Sequence, residues 1–276
     1  KSTRQRPILP HRSWRLPSKP MSLLTIDALY AAIGRQGVLH DINLTLKEGD
    51  WLAVVGGSGA GKSTLLRLIM GLRKPAHPSA GHITFDGQHW NCTAHYAPDR
   101  KGIALVPQSP AHGFDPLRRL GWQWRQVAKR KSPLSIAEQE MVIASLGLPP
   151  MDESYPHQWS RGMQQRLLLA LALIKQPKLL ILDEPTSALD PLIAAQVLEE
   201  VRQISKAQGI SVLMVTHDLG MAAQFASHIA VMAEGSLVET GPTEDLLSQP
   251  QAHYTKELVA HRHWQTTSED LCRAAE

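Results

Sequence analysis

The chain has 276 residues, 43% apolar and 20% charged, the balance of a globular protein with a real core; collagen-like, coiled-coil and wholly disordered chains are excluded. Its longest unbroken apolar run, Leu167 to Ile174, falls far short of the ~18 residues that cross a bilayer, and two cysteines, Cys92 and Cys272, are too few for a disulfide framework or a four-cysteine metal module. Six basic residues and no acidic one lie in residues 1–20, so the net charge of +4 becomes −2 for residues 21–276, and the body of the chain asks for no nucleic-acid partner.

Residues 1–20 also hold four prolines, and they lack both a hydrophobic period and the apolar stretch of a signal peptide. They are expected to be a disordered arm, or upstream sequence ahead of a start at Met21. Ile42, Leu44 and Leu46 alternate with polar residues and predict a half-buried strand. Gly81 to Phe85, followed by Asp86-Gly87, predicts another strand and its turn, so the early part is expected to form a small antiparallel β layer. Trp51–Val55, Ile103–Val106, Leu179–Leu182, Val212–Val215 and Ile229–Met232 are continuous apolar runs. Such strands are buried on both faces, as in a parallel sheet covered by helices. Residues 112–158 carry no strand signal and predict an inserted helical region, and Ile193, Val197, Val201 and Ile204 form one helical stripe.

The first buried run leads into Gly56-Gly57-Ser58-Gly59-Ala60-Gly61-Lys62-Ser63, a complete G-x-x-x-x-G-K-[ST] phosphate loop between a strand and an apolar helix, with Thr64 following. Its glycines let backbone N–H groups turn inward around phosphates, and the next helix offers its positive end to the anion. Lys62 is placed to reach the β- and γ-phosphates, and the Ser63 hydroxyl to ligate Mg²⁺. Leu179–Leu182 ends in Asp183-Glu184. Unpartnered acids at the end of a core strand cost several kcal/mol (~2–7) unless something compensates them. Opposite a phosphate loop the compensation is Mg²⁺, held by Asp183, while Glu184 polarises the attacking water.

These motifs resemble the nucleotide-binding subunit of an ABC transporter, over essentially all of residues 22–260. The resemblance implies an α/β fold: a P-loop nucleotide-binding domain with a small antiparallel β layer and a helical subdomain inserted at about 110–166, ahead of a tail at 261–276. It makes Gln108 the Q-loop glutamine that contacts metal and water, and His217 the switch histidine that senses the γ-phosphate. Ser160, Arg161, Gly162 and Met163 match the signature motif, Ser187-Ala188-Leu189-Asp190 matches the D-loop, and Tyr30 takes the place of the aromatic that stacks on adenine. ATP and Mg²⁺ are the implied ligands, and Glu184, His217 and Gln108 the implied catalytic set. In the family the signature contacts the ATP of the opposite subunit and usually reads Leu-Ser-Gly-Gly-Gln or Leu-Ser-Gly-Gly-Met; here it reads Trp159-Ser160-Arg161-Gly162-Met163. Arg161 adds bulk where a glycine is usual, or adds a phosphate contact. That departure motivates the expectation of a heterodimer with a second ABC ATPase subunit.

Three further segments, Tyr155-Pro156-His157-Gln158, Phe114-Asp115-Pro116-Leu117 and Gln249-Pro250-Gln251-Ala252-His253-Tyr254-Thr255, resemble the importers of oligopeptides, dipeptides and nickel. The implied partners are two transmembrane permease subunits and a periplasmic or lipoprotein substrate-binding protein, with this chain peripheral on the cytoplasmic face of the inner membrane. The short C-terminal form leans toward nickel or metal-chelate uptake over peptides. The alternative is an ABC-type ATPase in a soluble or enzyme-associated complex of the carbon–phosphorus lyase type.

Overall fold

The computed structural model describes residues 22–94, 101–185 and 190–261, apart from the side chains of 111, 130, 131 and 261. The expected N-terminal arm, Ser187-Ala188-Leu189 of the D-loop, Cys272 and the tail beyond 261 lie outside the described residues.

Two sheets are present among the described residues. The first is antiparallel and contains β1 (Ser22–Ile33), β2 (Gln36–Lys47), β4 (His77–Phe85) and β5 (Gln88–Asn91), in the order β2-β1-β4-β5. Between β2 and β4 the chain supplies β3 (Trp51–Val55) and α1 (Lys62–Ile69) to the second layer. That sheet continues with β6 (Ile103–Val106), β7 (Leu179–Asp183), β8 (Ser211–Thr216), β9 (His228–Ala233) and β10 (Ser236–Pro242), ordered β10-β9-β3-β8-β7-β6. Every neighbouring pair from β9 to β6 is parallel; β10 closes the edge antiparallel to β9.

The continuous apolar runs have the expected cause. Ala53, Val55, Val212, Met214, Leu180 and Leu182 belong to one core, whereas Leu52, Val54, Leu213, Val215, Leu179 and Ile181 belong to the other. Side chains alternate faces along a strand, so burial on both sides removes every polar position. The second of these cores is closed by α1 and the antiparallel layer, including Leu24, Leu29 and Ile42. Helices cover the opposite face. α2 (Leu120–Lys131) and α3 (Ile136–Ser145) lie between β6 and β7, with α4 (Arg161–Leu173) leading back into the sheet. α5 (Pro191–Gln208), α6 (Leu219–Phe225), α7 (Thr243–Ser248) and α8 (His253–His261) complete the layer. The stripe on α5 is shifted from expectation: Val197, Val201 and Ile204 are buried with Ala194, but Ile193 is 43% exposed. Phe114 and Trp124 are packed in the helical region, while Trp122 is exposed beneath the Arg118 guanidinium.

Cys92 is buried. No helix among the described residues is long and apolar enough to cross a membrane.

Candidate functional site

Parallel α/β sheets carry their ligands beyond the carboxyl ends of the strands. Here the loops after β3, β6, β7 and β8 meet around a cavity of about 860 Å³. Ser58, Gly59, Ala60, Gly61, Lys62, Ser63 and Thr64 line one wall, and Gln108, Glu184 and His217 reach it from the neighbouring strand ends.

The phosphate loop has little freedom of placement. A Cβ on Gly56 would stand 2.1 Å from the Met232 carbonyl oxygen, so only glycine lets the loop leave β3 against β9. Gly61 caps α1 with φ 103°, a conformation that glycine alone adopts cheaply. Lys62 is 6% exposed. Its Nζ donates to the Gly56 carbonyl at 2.7 Å and to the Gly57 carbonyl at 2.8 Å. Burial pulls the Lys62 pKa down, against the opposing pull of Glu184 and Asp183.

The acids stand where β7 ends. Glu184 has φ 43°, a left-handed backbone that costs a non-glycine residue about 1–2 kcal/mol. Its N–H donates to the Val215 carbonyl at 2.8 Å, which holds this turn against β8. The Gln108 amide donates to Glu184 Oε2 at 2.8 Å, and His217 Nδ1 lies 3.4 Å from Glu184 Oε1. The carboxylate is thus bracketed by residues from both adjacent strands. Asp183 is different. Burial raises its pKa first, and Glu184 adds to the rise; Arg67, Lys62 and a hydrogen bond from Ser63 oppose it. Its Oδ1 is buried with no hydrogen-bond partner. An orphaned carboxylate oxygen beside a serine hydroxyl and a phosphate loop is a hard oxygen donor set, and it fits Mg²⁺.

The remaining expected residues lie elsewhere. Ser160 is the N-cap of α4, its hydroxyl accepting from the Met163 N–H at 3.2 Å, and Arg161 occupies the first helical position. None of Ser160, Arg161, Gly162 and Met163 lines the cavity. Asp190 caps α5 by accepting from the Leu192 N–H at 3.0 Å. Tyr30 is on β1, 38% exposed and paired across to Ala80, and is not brought to the cavity; Ile33 and Val38 supply the apolar wall there.

Sequence reasoning missed Gln36, Gly37, Glu234 and Gly235, which also line the cavity. Glu234 and Gly235 have φ 47° and 78°, as in a two-residue hairpin turn, and Gly235 N–H donates to the Ala60 carbonyl at 3.0 Å. The Glu-Gly pair after the apolar run was the signal. Tyr254 was missed as well. Its hydroxyl accepts from the Gly57 N–H at 3.0 Å.

A phosphate loop between strand and helix, faced by a carboxylate held between glutamine and histidine, defines a P-loop nucleotide hydrolase. Residues 39–187 match the family model described as ABC transporter. This chain belongs to that family of ATP-binding subunits and is an ABC-type ATPase. It is 35% identical over 250 residues to the oligopeptide transport ATP-binding protein OppD of Lactococcus lactis subsp. cremoris, covering 86% of this chain and 73% of that protein. It is 36% identical over 252 residues to the metal-staphylopine import system ATP-binding protein CntD of Staphylococcus aureus, covering 87% and 93%. Among solved structures, one described as an ATP-binding subunit of an ABC transporter superposes with a TM-score of 0.71 at 29% identity, covering 86% of this chain and 98% of that one.

Proposed function

We propose that this chain is the ATP-hydrolysing motor of an ABC importer whose cargo is a nickel or other metal chelate, or a peptide. The observation that carries the reading is the convergence of Gln108, Glu184 and His217 on one wall of the cavity that the phosphate loop lines. Importer rather than enzyme scaffold is supported by the relatives, which are named for oligopeptide transport and metal-staphylopine import. Those names do not favour the carbon–phosphorus lyase alternative.

In this reading the nucleotide-binding domain spans 21–260, with the helical subdomain at about 110–166. The amides of 58–63 and the Lys62 ammonium bind the triphosphate. Ser63, Gln108 and Asp183 would hold Mg²⁺, which supplies neutralisation of charge on the phosphate oxygens. Glu184 accepts a proton from the attacking water, and Gln108 fixes the carboxylate that does so. His217 lies beside the same carboxylate, placed to contact the γ-phosphate. The water oxygen forms a bond to the γ-phosphorus as the bond to the β-phosphate oxygen breaks, giving ADP and phosphate. Ser160, Arg161, Gly162 and Met163 contact the ATP of a second ABC ATPase subunit, which is consistent with their absence from this chain's own cavity. Asp190 faces that subunit; Tyr30, which does not line the cavity, takes no part in this reading. ATP closes the pair and hydrolysis reopens it. The Gln108 loop and the helical region, with Trp122 exposed on it, transmit the motion to two permease subunits at the cytoplasmic face of the cell membrane. A periplasmic or lipoprotein binding protein delivers cargo.

Purification from membranes tests this. Two permease polypeptides should accompany the chain, and phosphate release should rise when loaded binding protein is added. Recovery with a soluble enzyme complex instead would overturn the importer reading.

A further inference from the structure

The C-terminal helix reaches back to the phosphate loop from the far end of the chain. The Gly56 carbonyl and the Gly57 N–H belong to one peptide unit. Lys62 Nζ donates to its oxygen at 2.7 Å, and its N–H donates to the Tyr254 hydroxyl at 3.0 Å, across 197 residues of sequence. The two groups clamp that peptide from opposite ends. Tyr254 is not among the residues lining the cavity, whose loop wall begins at Ser58, so it acts on the loop from behind. The approach is close: a Cβ on Gly57 would stand 3.2 Å from the Tyr254 oxygen.

The helix that carries Tyr254 is itself fixed. Glu239 on β10 accepts from the Gln251 N–H and the Ala252 N–H, each at 2.9 Å, just ahead of α8. Burial pushes the Glu239 pKa up, but these amides, the Thr255 side chain and Lys256 outweigh it and leave the carboxyl below the usual range. The ionised acid therefore stays in place as an anchor. Thr255 is fully buried, and Leu258 and Val259 pack on the main core. Tyr254 is thus delivered by a braced element rather than by a free tail.

Two of the three Lys62 ammonium donors are held by the Gly56 and Gly57 carbonyls, and a triphosphate competes for them. When Lys62 turns to phosphate, the hydroxyl of Tyr254 is the side-chain contact still orienting the 56–57 peptide. We propose that Tyr254 is a positioning residue of the nucleotide site: α8 holds the base of the phosphate loop so that the amides of 58–63 stay aimed at the anion. This inference rests on the reading of the cavity as the ATP site and adds to it a control from the C-terminal segment.

Tyr254→Phe deletes the hydroxyl alone and takes the side-chain partner from the part-buried Gly57 N–H. The Mg-ATP Kd of the full chain by calorimetry, and the KM for ATP of the transporter purified with its partners, should both rise about three- to tenfold. kcat and Tm should stay close to wild type. Leu258→Ala, which loosens the packing of the same helix without touching the hydroxyl, should lower Tm and raise KM less than Tyr254→Phe does. Unmoved Kd and KM in Tyr254→Phe, alongside lost binding in Lys62→Ala, would overturn the positioning role while the ATP site stands. A fall in Tm and kcat with KM unchanged would overturn it as well. Wild-type protein that takes up no Mg-ATP would bring down both readings.

Discussion

The Gln108 side-chain amide is bound to the Glu184 carboxylate at 2.8 Å, although 76 residues separate them. β6 and β7 are neighbours in parallel register, Val106 opposite Leu182, so the loops that follow them emerge side by side. Glu184 accepts its left-handed backbone in exchange for this placement. A glutamine at 184 can still accept from Gln108 through its amide oxygen, but it cannot take a proton from water. Glu184→Gln should therefore bind Mg-ATP about as well as wild type and release phosphate ~10²–10⁴-fold more slowly. Single-turnover phosphate release measures this; a rate within a few-fold of wild type rules Glu184 out as the base.

Gly56 makes a purely steric prediction. The Met232 carbonyl oxygen would lie 2.1 Å from a Cβ at 56, and backbone cannot step aside as a flexible side-chain end can. Gly56→Ala should cost about 1–3 kcal/mol, as overpacking does elsewhere, with Tm falling by about 2–4 °C for each kcal/mol. ATP affinity should fall with it, because the displaced atoms begin the phosphate loop. An alanine variant that melts and binds like wild type would show that β9 yields at Met232.

The physics of these sites explains what could be read from the chain alone. Trp51–Val55 announced itself because burial on both faces leaves no polar residue, and Gly56–Ser63 because a phosphate loop needs glycines at fixed spacing. β1 did not. Its pairings with β2 are interrupted by irregular registers between Ser22 and Ala32, so its burial never alternates cleanly. Tyr30 accordingly has a strand-bound place on β1, outside the cavity lining. The start of the α5 stripe was misplaced at Ile193 because the buried neighbour is a small residue, Ala194, which contributes little to an apolar pattern. The Tyr254 contact had no local signal at all, since it joins residues far apart in sequence.

Asp183 predicts a pH dependence. Burial and Glu184 raise its pKa in the folded chain. A folded-state pKa above the unfolded value stabilises fully below the unfolded value, and that contribution is lost as pH rises through the folded value. Without nucleotide or metal, ionised Asp183 is thus a liability at neutral pH. Asp183→Asn should melt above wild type at neutral pH in metal-free buffer, and the gap should close as pH falls through the carboxylate range. With Mg-ATP added the order should reverse. A Tm difference that ignores both pH and Mg-ATP would show that Asp183 neither titrates in the fold nor serves the metal.

Arg161 sits at the first position of α4, exposed and next to the Ser160 cap. Two effects on stability oppose each other when it is replaced by the glycine usual in the family. Removing a cation from a helix N-terminus gains ~0.3–1 kcal/mol, and introducing glycine into a helix costs ~0.5–1 kcal/mol. Arg161→Gly should therefore leave folding stability within about 1 kcal/mol of wild type. Any change in ATPase rate then reports on the contact proposed for this residue with a neighbouring subunit's nucleotide. In a heterodimer only the composite site facing this signature carries the departure, so native mass of the assembled transporter should find one copy of this chain beside a different ATPase subunit. Two identical copies with full ATPase activity would refute the heterodimer and show that a charged side chain at 161 is compatible with both sites.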